Sequence, residues 1–246
     1  MGLGLFLPDL WRSGFFNLKF QMLYVFFRKV LTVAMLGLGV MAQAQDLALK
    51  IDHESTSLSA DGVTRVTRFS ERLVRQQAQS WLSRVVPAGA HEEADHASAG
   101  KSHKHMDVNA ASRWVLKEAG GKLRVRIVNN HEKLVVDVPV TDYANIGFDG
   151  RWSTAYQLLD PAQLQQMKAS ARPAPSGARW YEGQSRDSRV WLLWDEKAQY
   201  PRRIESANAR GTQSSLMVVT REPMPERLPW TGLGAYQQKE YADLLD

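Results

Sequence analysis

Four of the six histidines of this 246-residue chain fall in one short stretch, AHEEADHASAGKSHKHMD, residues 90 to 107. His91 and His96 are five apart and His103 and His105 two apart, with Glu92, Glu93, Asp95, Met106 and Asp107 among them. Imidazole with carboxylate suits Zn or Cu(II), and the Met106 thioether would add a soft ligand for Cu(I). These four histidines are therefore the candidate metal ligands, and Cu or Zn the candidate ion. The surrounding Ala, Ser, Gly and Lys, without an aromatic residue, equally describe a solvated excursion between two strands.

A second chemistry is apolar. Seven tryptophans follow residue 44: Trp81, Trp114, Trp152, Trp180, Trp191, Trp194 and Trp230. Phe69, Trp81, Trp114, Trp152, Tyr156, Trp180 and Trp191 are the residues expected to line a ligand groove, in which each buried methylene of an apolar ligand would contribute about 0.8 kcal/mol. Trp191 and Trp194 differ by an odd step, so a regular strand must point them to opposite faces. Catalysis has little to stand on. There is no G-x-S-x-G, H-E-x-x-H or P-loop, and the absence of Cys removes thiol nucleophiles and thiolate metal sites. Asp137, Asp142 and Asp149 surround YANIGFDG, but Asp and Gly there suit ordinary turns. The chain is not expected to be an enzyme.

Location follows from the first residues. Arg28 and Lys29 precede an apolar run from Val30 to Met41, followed by the small residues Ala42 and Ala44. That layout predicts a signal peptide over residues 1–44, with residues 1–21 an over-extended start before Met22. The apolar run is short against the roughly 20 residues that span a bilayer, so no stable membrane span is expected after cleavage. A periplasmic protein without disulfides or a lipidated Cys follows. Arg12, Lys19, Arg28 and Lys29 against Asp9 give the presequence a net +3 of the total +5, leaving +2. That balance, with export, argues against nucleic acid.

Residues 45–246 are expected to form one domain. LALKIDHESTSL and VTRVTRFSERLVRQ flank Asp61-Gly62, a strong hairpin signal. QAQSWLSRVVP, SRWVLKE, KLRVRIV and KLVVDVP continue as strands at meander spacing, and ARWYEGQ, RVWLLWDE, YPRRIESAN and TQSSLMVVTRE add four more. Between these groups Trp152, Ala155, Tyr156 and Leu159 fall at helical spacing, and Pro161 can open a second short helix. The tail, with Leu233, Tyr236, Tyr241, Leu244 and Leu245, reads as an amphipathic C-terminal helix. The expected fold is mainly β (α+β): a strongly curved antiparallel sheet of about ten strands, an open half-barrel, with a helical insert as lid or plug.

Two stretches carry a family likeness. VTRVTRFSERLVRQQAQSWLSRVVP (63 to 87) and RVWLLWDEKAQYPRRIESANARGTQSSLMVV (189 to 219) resemble the early strands and late hairpin of the periplasmic lipoprotein-carrier superfamily of LolA and LolB. The resemblance implies an incomplete antiparallel barrel with a helical lid, and a lipid or lipoprotein acyl chain as ligand. The histidine stretch and the C-terminal helix depart from the pattern, and the missing Cys excludes LolB-type lipidation. A metal-handling or metalloprotein-maturation accessory and an envelope-signalling module with a protein partner are the alternatives.

Overall fold

The computed structural model describes residues 46–86 and 111–244. Six strands come first: β1 (Leu47–Leu58), β2 (Thr64–Gln76), β3 (Gln79–Val85), β4 (Ser112–Lys117), β5 (Leu123–Asn129) and β6 (Leu134–Val138). The insert follows, with helices α1 (Trp152–Gln157) and α2 (Pro161–Gln165). Then come β7 (Lys168–Ala169), β8 (Ala178–Gln184), β9 (Ser188–Asp195), β10 (Tyr200–Asn208), β11 (Gln213–Glu222) and β12 (Gln237–Glu240). All twelve form one open, curved sheet in the order β12-β6-β5-β4-β3-β2-β1-β11-β10-β9-β8-β7. Two meanders are thus joined where β1 pairs with β11, from Ala48 opposite Glu222 to Ser57 opposite Gln213.

Alternation along the strands gives the sheet two apolar faces. On one, Leu47, Leu49, Ile51, Leu73, Val115, Val125, Ile127, Val136 and Val219 are buried beneath the insert and the β9–β10 turn. Tyr143, Phe148 and Ala155 of the insert pack on β4 to β6, and Ala198 and Tyr200 of the turn pack on β1, β2 and β11. On the opposite face Ala48, Val74, Trp81, Trp114, Val128 and Val135 lie under Met224, Leu228, Trp230, Leu233 and Tyr236 of the tail. Along the unbroken register with β8, Trp191 pairs with Glu182 and Trp194 with Arg179, so the two tryptophans do point to opposite faces.

The insert helices form where the helical spacing placed them, but they are short. Asp160 caps α2 by accepting from the Ala162 N–H at 3.0 Å, with Pro161 in the first turn. The chain leaves α1 through Leu158 at φ 64°, a left-handed conformation rare for a leucine. That turn brings Leu158 against the cluster of Leu47, Leu49 and Leu73.

Arg75 of β2 ties these parts together. It is fully buried, and one guanidinium nitrogen donates to the Tyr156 carbonyl at 2.6 Å and the Gln199 carbonyl at 3.3 Å. The other donates to the Ala198 carbonyl, and the guanidinium stands 4.7 Å from the Tyr156 ring centroid. One cation therefore joins a central strand, the insert and the β9–β10 turn. Asp195 shapes that turn from below. It accepts from the N–H groups of Lys197 and Ala198 at 3.1 and 2.7 Å and from Arg202 at 2.9 Å.

The tail departs from expectation. In place of a C-terminal helix it forms a strap, the edge strand β12 and a 3-10 turn, Tyr241–Leu244. Pro223, Pro225, Pro229, Gly232 and Gly234 oppose a helix across the strap, and the apolar residues belong to different faces. Leu233 and Tyr236 pack with Trp81 and Trp114, whereas Tyr241 and Leu244 pack with Val115 and Val136 on the insert side. β12 pairs in parallel with β6, so the sheet is mixed, and β7 and β12 raise about ten expected strands to twelve. Leu245 lies outside the described residues.

Two outcomes are expected in urea unfolding. Arg75→Met, which strands three buried carbonyl contacts, should cost at least about 3 kcal/mol, with Arg75→Lys intermediate. For Asp195, burial works to raise the carboxyl, but the Ala198 N–H, Arg202 and the Lys197 N–H prevail and hold it below its ordinary 3.8. A carboxylate lowered on folding contributes stability above about pH 4 that disappears as the pH falls through its folded value. Asp195→Asn should therefore cost about 2 kcal/mol at neutral pH and shrink the difference from the parent below about pH 4.

Candidate functional site

One open space lies along β11, β1, β2 and β3, and most of its strand residues, Asp52, Glu54, Arg68, Ser70, Val85, Leu216 and Val218, face the tail side of the sheet, with His53, Phe69 and Arg84 on the insert side. β3 ends at Val85 opposite Ser70, so among the described residues Thr64 to Phe69 of β2 have no strand on that side. A cavity of about 570 Å³ opens at this step, lined by Asp52, His53, Glu54, Arg68, Phe69, Ser70, Arg84, Val85, Val86, Leu216 and Val218. Its lining draws on both strand parities, as expected of a space that reaches around an unpaired edge. A second compartment of about 210 Å³ adjoins it, sharing Phe69 and Arg84. Here Glu71, Leu82, Ala111, Arg113, Ile127 and Ile146 complete the walls, and every strand residue among them faces the insert side.

Phe69 is the centre of the cleft. Cross-strand register sets His53 of β1 opposite it, and the two rings stack with centroids 4.4 Å apart at 16°. From β3 the Arg84 guanidinium lies 4.0 Å from the Phe69 centroid. His53 Nε2 meets Glu71 Oε2 at 2.9 Å, which occupies the carboxylate. Arg84, although directly opposite Glu71 in register, is held over the aromatic ring. Arg113 stands 5.2 Å from the Phe148 centroid and donates to the Gly147 carbonyl at 3.5 Å. Burial pulls its pKa down, opposed by the more distant charges of Glu71 and Asp149.

Of the expected groove residues, Phe69 lines both spaces. Trp81 and Trp114 are buried beneath the tail, on the face opposite the insert. Trp180 and Trp191 share that face; Arg172 lies 4.1 and 5.9 Å from their ring centroids, and the Trp180 Nε1 donates to the Pro173 carbonyl. Trp152 and Tyr156 pack against each other in the insert, ring centroids 4.7 Å apart and tilted by 31°, with Tyr156 buried. The structure thus brings one of the seven residues into the open cleft and places the others in packing. His53, Glu71, Arg84 and Arg113, which complete the cleft, were not singled out from the sequence.

The carboxylates near YANIGFDG serve their own neighbourhoods. Asp137 takes Arg124 at 2.8 Å and Arg126 at 2.9 Å on the tail-side face of β5 and β6. Asp142 accepts from Asn145, and Asp149 from the Thr154 hydroxyl and the Arg151 N–H. His91, His96, His103 and His105 lie outside the described residues. Among those that are described, no group of three or more His, Asp or Glu side chains could hold a metal ion.

No family model and no curated protein matches the chain. Structural neighbours include PNGF-II, with TM-score 0.34 and 8% identity, covering 80% of this chain and 33% of that one. The chain thus spans about a third of the length of that neighbour. An outer membrane lipoprotein-sorting protein domain from Vibrio parahaemolyticus aligns with TM-score 0.30 and 9% identity over 80% of this chain and 94% of its own. A LolA superfamily protein from Nitrosomonas europaea aligns with TM-score 0.27 and 8% identity over 75% and 89%. These are similarities of overall path at low score, and the open, curved twelve-stranded sheet is the half-barrel architecture that the sequence resemblance implies.

Proposed function

We propose that this chain is a periplasmic carrier-type binding protein, without catalytic activity, that holds the apolar part of a lipid or a lipoprotein acyl chain in the cleft around Phe69. The observation that carries the reading is the cavity of about 570 Å³, with apolar residues in its wall, left open where β3 ends beside β2. Its volume lies in the range of roughly 300 to 1,000 Å³ usual for small-molecule sites, and Phe69, Val85, Val86, Leu216 and Val218 offer it apolar surface. The presequence layout, Arg28-Lys29 before Val30 to Met41 and then Ala42 and Ala44, supports export. Among the described residues, no helix is long and apolar enough to cross a membrane.

A second reading, an envelope module that binds a protein partner, is favoured by the β1–β2 hairpin. Leu58, Val63 and Val66 are 44%, 59% and 45% exposed there, next to the edge of β2 that has no partner strand among the described residues. An extended peptide could add to such an edge through main-chain hydrogen bonds. A third, metal handling through His91, His96, His103 and His105 with Cu or Zn, is separable from both by metal content.

Native mass spectrometry of the protein purified from the periplasm, with metal analysis of the same sample and titration of a fluorescent fatty acid, tests the first reading. Retained mass of lipid size and saturable probe binding are expected. Leu216→Glu should weaken the probe by about tenfold, roughly the contribution of two buried methylenes. Absence of both lipid and probe binding would overturn the carrier reading, and stoichiometric Cu or Zn in its place would favour the metal reading.

A further inference from the structure

Most arginines of the described strands are ion-paired, with Arg65 and Arg221 among the exceptions. Arg68, Arg72, Arg124, Arg126, Arg189 and Arg203 each meet a carboxylate within 3.4 Å. Arg84 and Arg113, the two that line the small compartment, have no ion pair among the described residues. Their surroundings explain why. The one carboxylate in the compartment, Glu71, is engaged by His53 at 2.9 Å, and Arg84 is drawn over Phe69. Arg113 is half-buried against Phe148 with only a long contact to a carbonyl.

The two cations share one side of the sheet. Leu82 pairs directly with Arg113, and Arg84 lies two residues farther along β3, so their side chains are diagonal neighbours on the insert side. Apolar walls from Leu82, Ala111, Ile127 and Ile146 weaken solvent screening around them. Among the described residues Arg84 and Arg113 line the compartment against one carboxylate, Glu71, so it carries a net positive charge beside a larger space with apolar wall residues.

We infer that the compartment of Arg84 and Arg113 is an anion subsite that takes the carboxylate or phosphate head of an amphiphile whose chain lies in the adjoining cavity. This assignment rests on the carrier reading and narrows it: the cargo is an anionic amphiphile. Arg113 presents a guanidinium with most of its donors unused, suited to paired oxygens of a carboxylate or phosphate. Arg84 supplies the second charge from the shared wall of the two spaces.

Affinities of the full chain for lauric acid, dodecyl phosphate and dodecanol, which share a chain and differ in head, test the assignment, with inorganic phosphate as a headgroup without a chain. Both anionic ligands should bind at least about tenfold more tightly than dodecanol at neutral pH. Arg113→Gln should bring them down to the level of dodecanol, and Arg84→Gln should do so in part. Unchanged dodecanol binding by Arg113→Gln, a residue outside the lining of the larger cavity, shows that the fold and the chain site persist. Equal affinity for all three ligands in the parent, or an anion preference that survives Arg113→Gln, would overturn the subsite while leaving the carrier reading intact. Failure of all three to bind would overturn the carrier reading itself. Inorganic phosphate binding as tightly as dodecyl phosphate would overturn the headgroup assignment in favour of a free anion.

Discussion

A guanidinium sealed from water needs every donor placed, and Arg75 meets that demand only when three remote parts of the chain meet around it. Its acceptors are the carbonyls of Tyr156, Ala198 and Gln199, from the insert and from the β9–β10 turn. Hydrophobic contacts alone would let the insert slide over the row of Leu47, Leu49 and Leu73. Directional bonds to one charge give it a single position. The Asp195 network keeps the turn in the shape that presents two of those carbonyls.

Because the insert is pinned at Arg75, the end of the sheet beyond it stays open. The packed half receives Tyr143, Phe148 and Ala155, while the half around Phe69 is left with charged and aromatic groups in contact with one another. Both sheet faces are apolar, yet they are closed by different means: the insert on one, the proline-rich strap on the other.

Much of the architecture was legible in the sequence because alternation and helical spacing are local. The ten expected strands and both insert helices occur where those patterns place them. The tail was not, since Leu233, Tyr236, Tyr241 and Leu244 form an apolar set whose members belong to opposite faces of a sheet edge. The cleft was harder still, because it depends on register. A two-residue turn at Asp61-Gly62 would set His53 opposite Ser70; the loop actually runs from Ser59 to Val63 and sets His53 opposite Phe69. A register shift of one residue decides which side chains meet. Trp81, Trp114, Trp180 and Trp191 do share a face, but what covers that face is set by parts of the chain remote in sequence.

The pairing of β1 with β11 joins residues more than 150 positions apart: Ala48 lies opposite Glu222. β12 and the Tyr241 turn then clamp the far edge from both sides. Nearly every strand of the first meander therefore waits for residues made last before its apolar faces are covered. Contacts so distant in sequence carry a large loop-closure cost and slow the approach to the native state. A chain built this way stays unfolded for most of its synthesis, the condition in which a polypeptide can be threaded through a narrow channel and in which a chaperone has time to hold it.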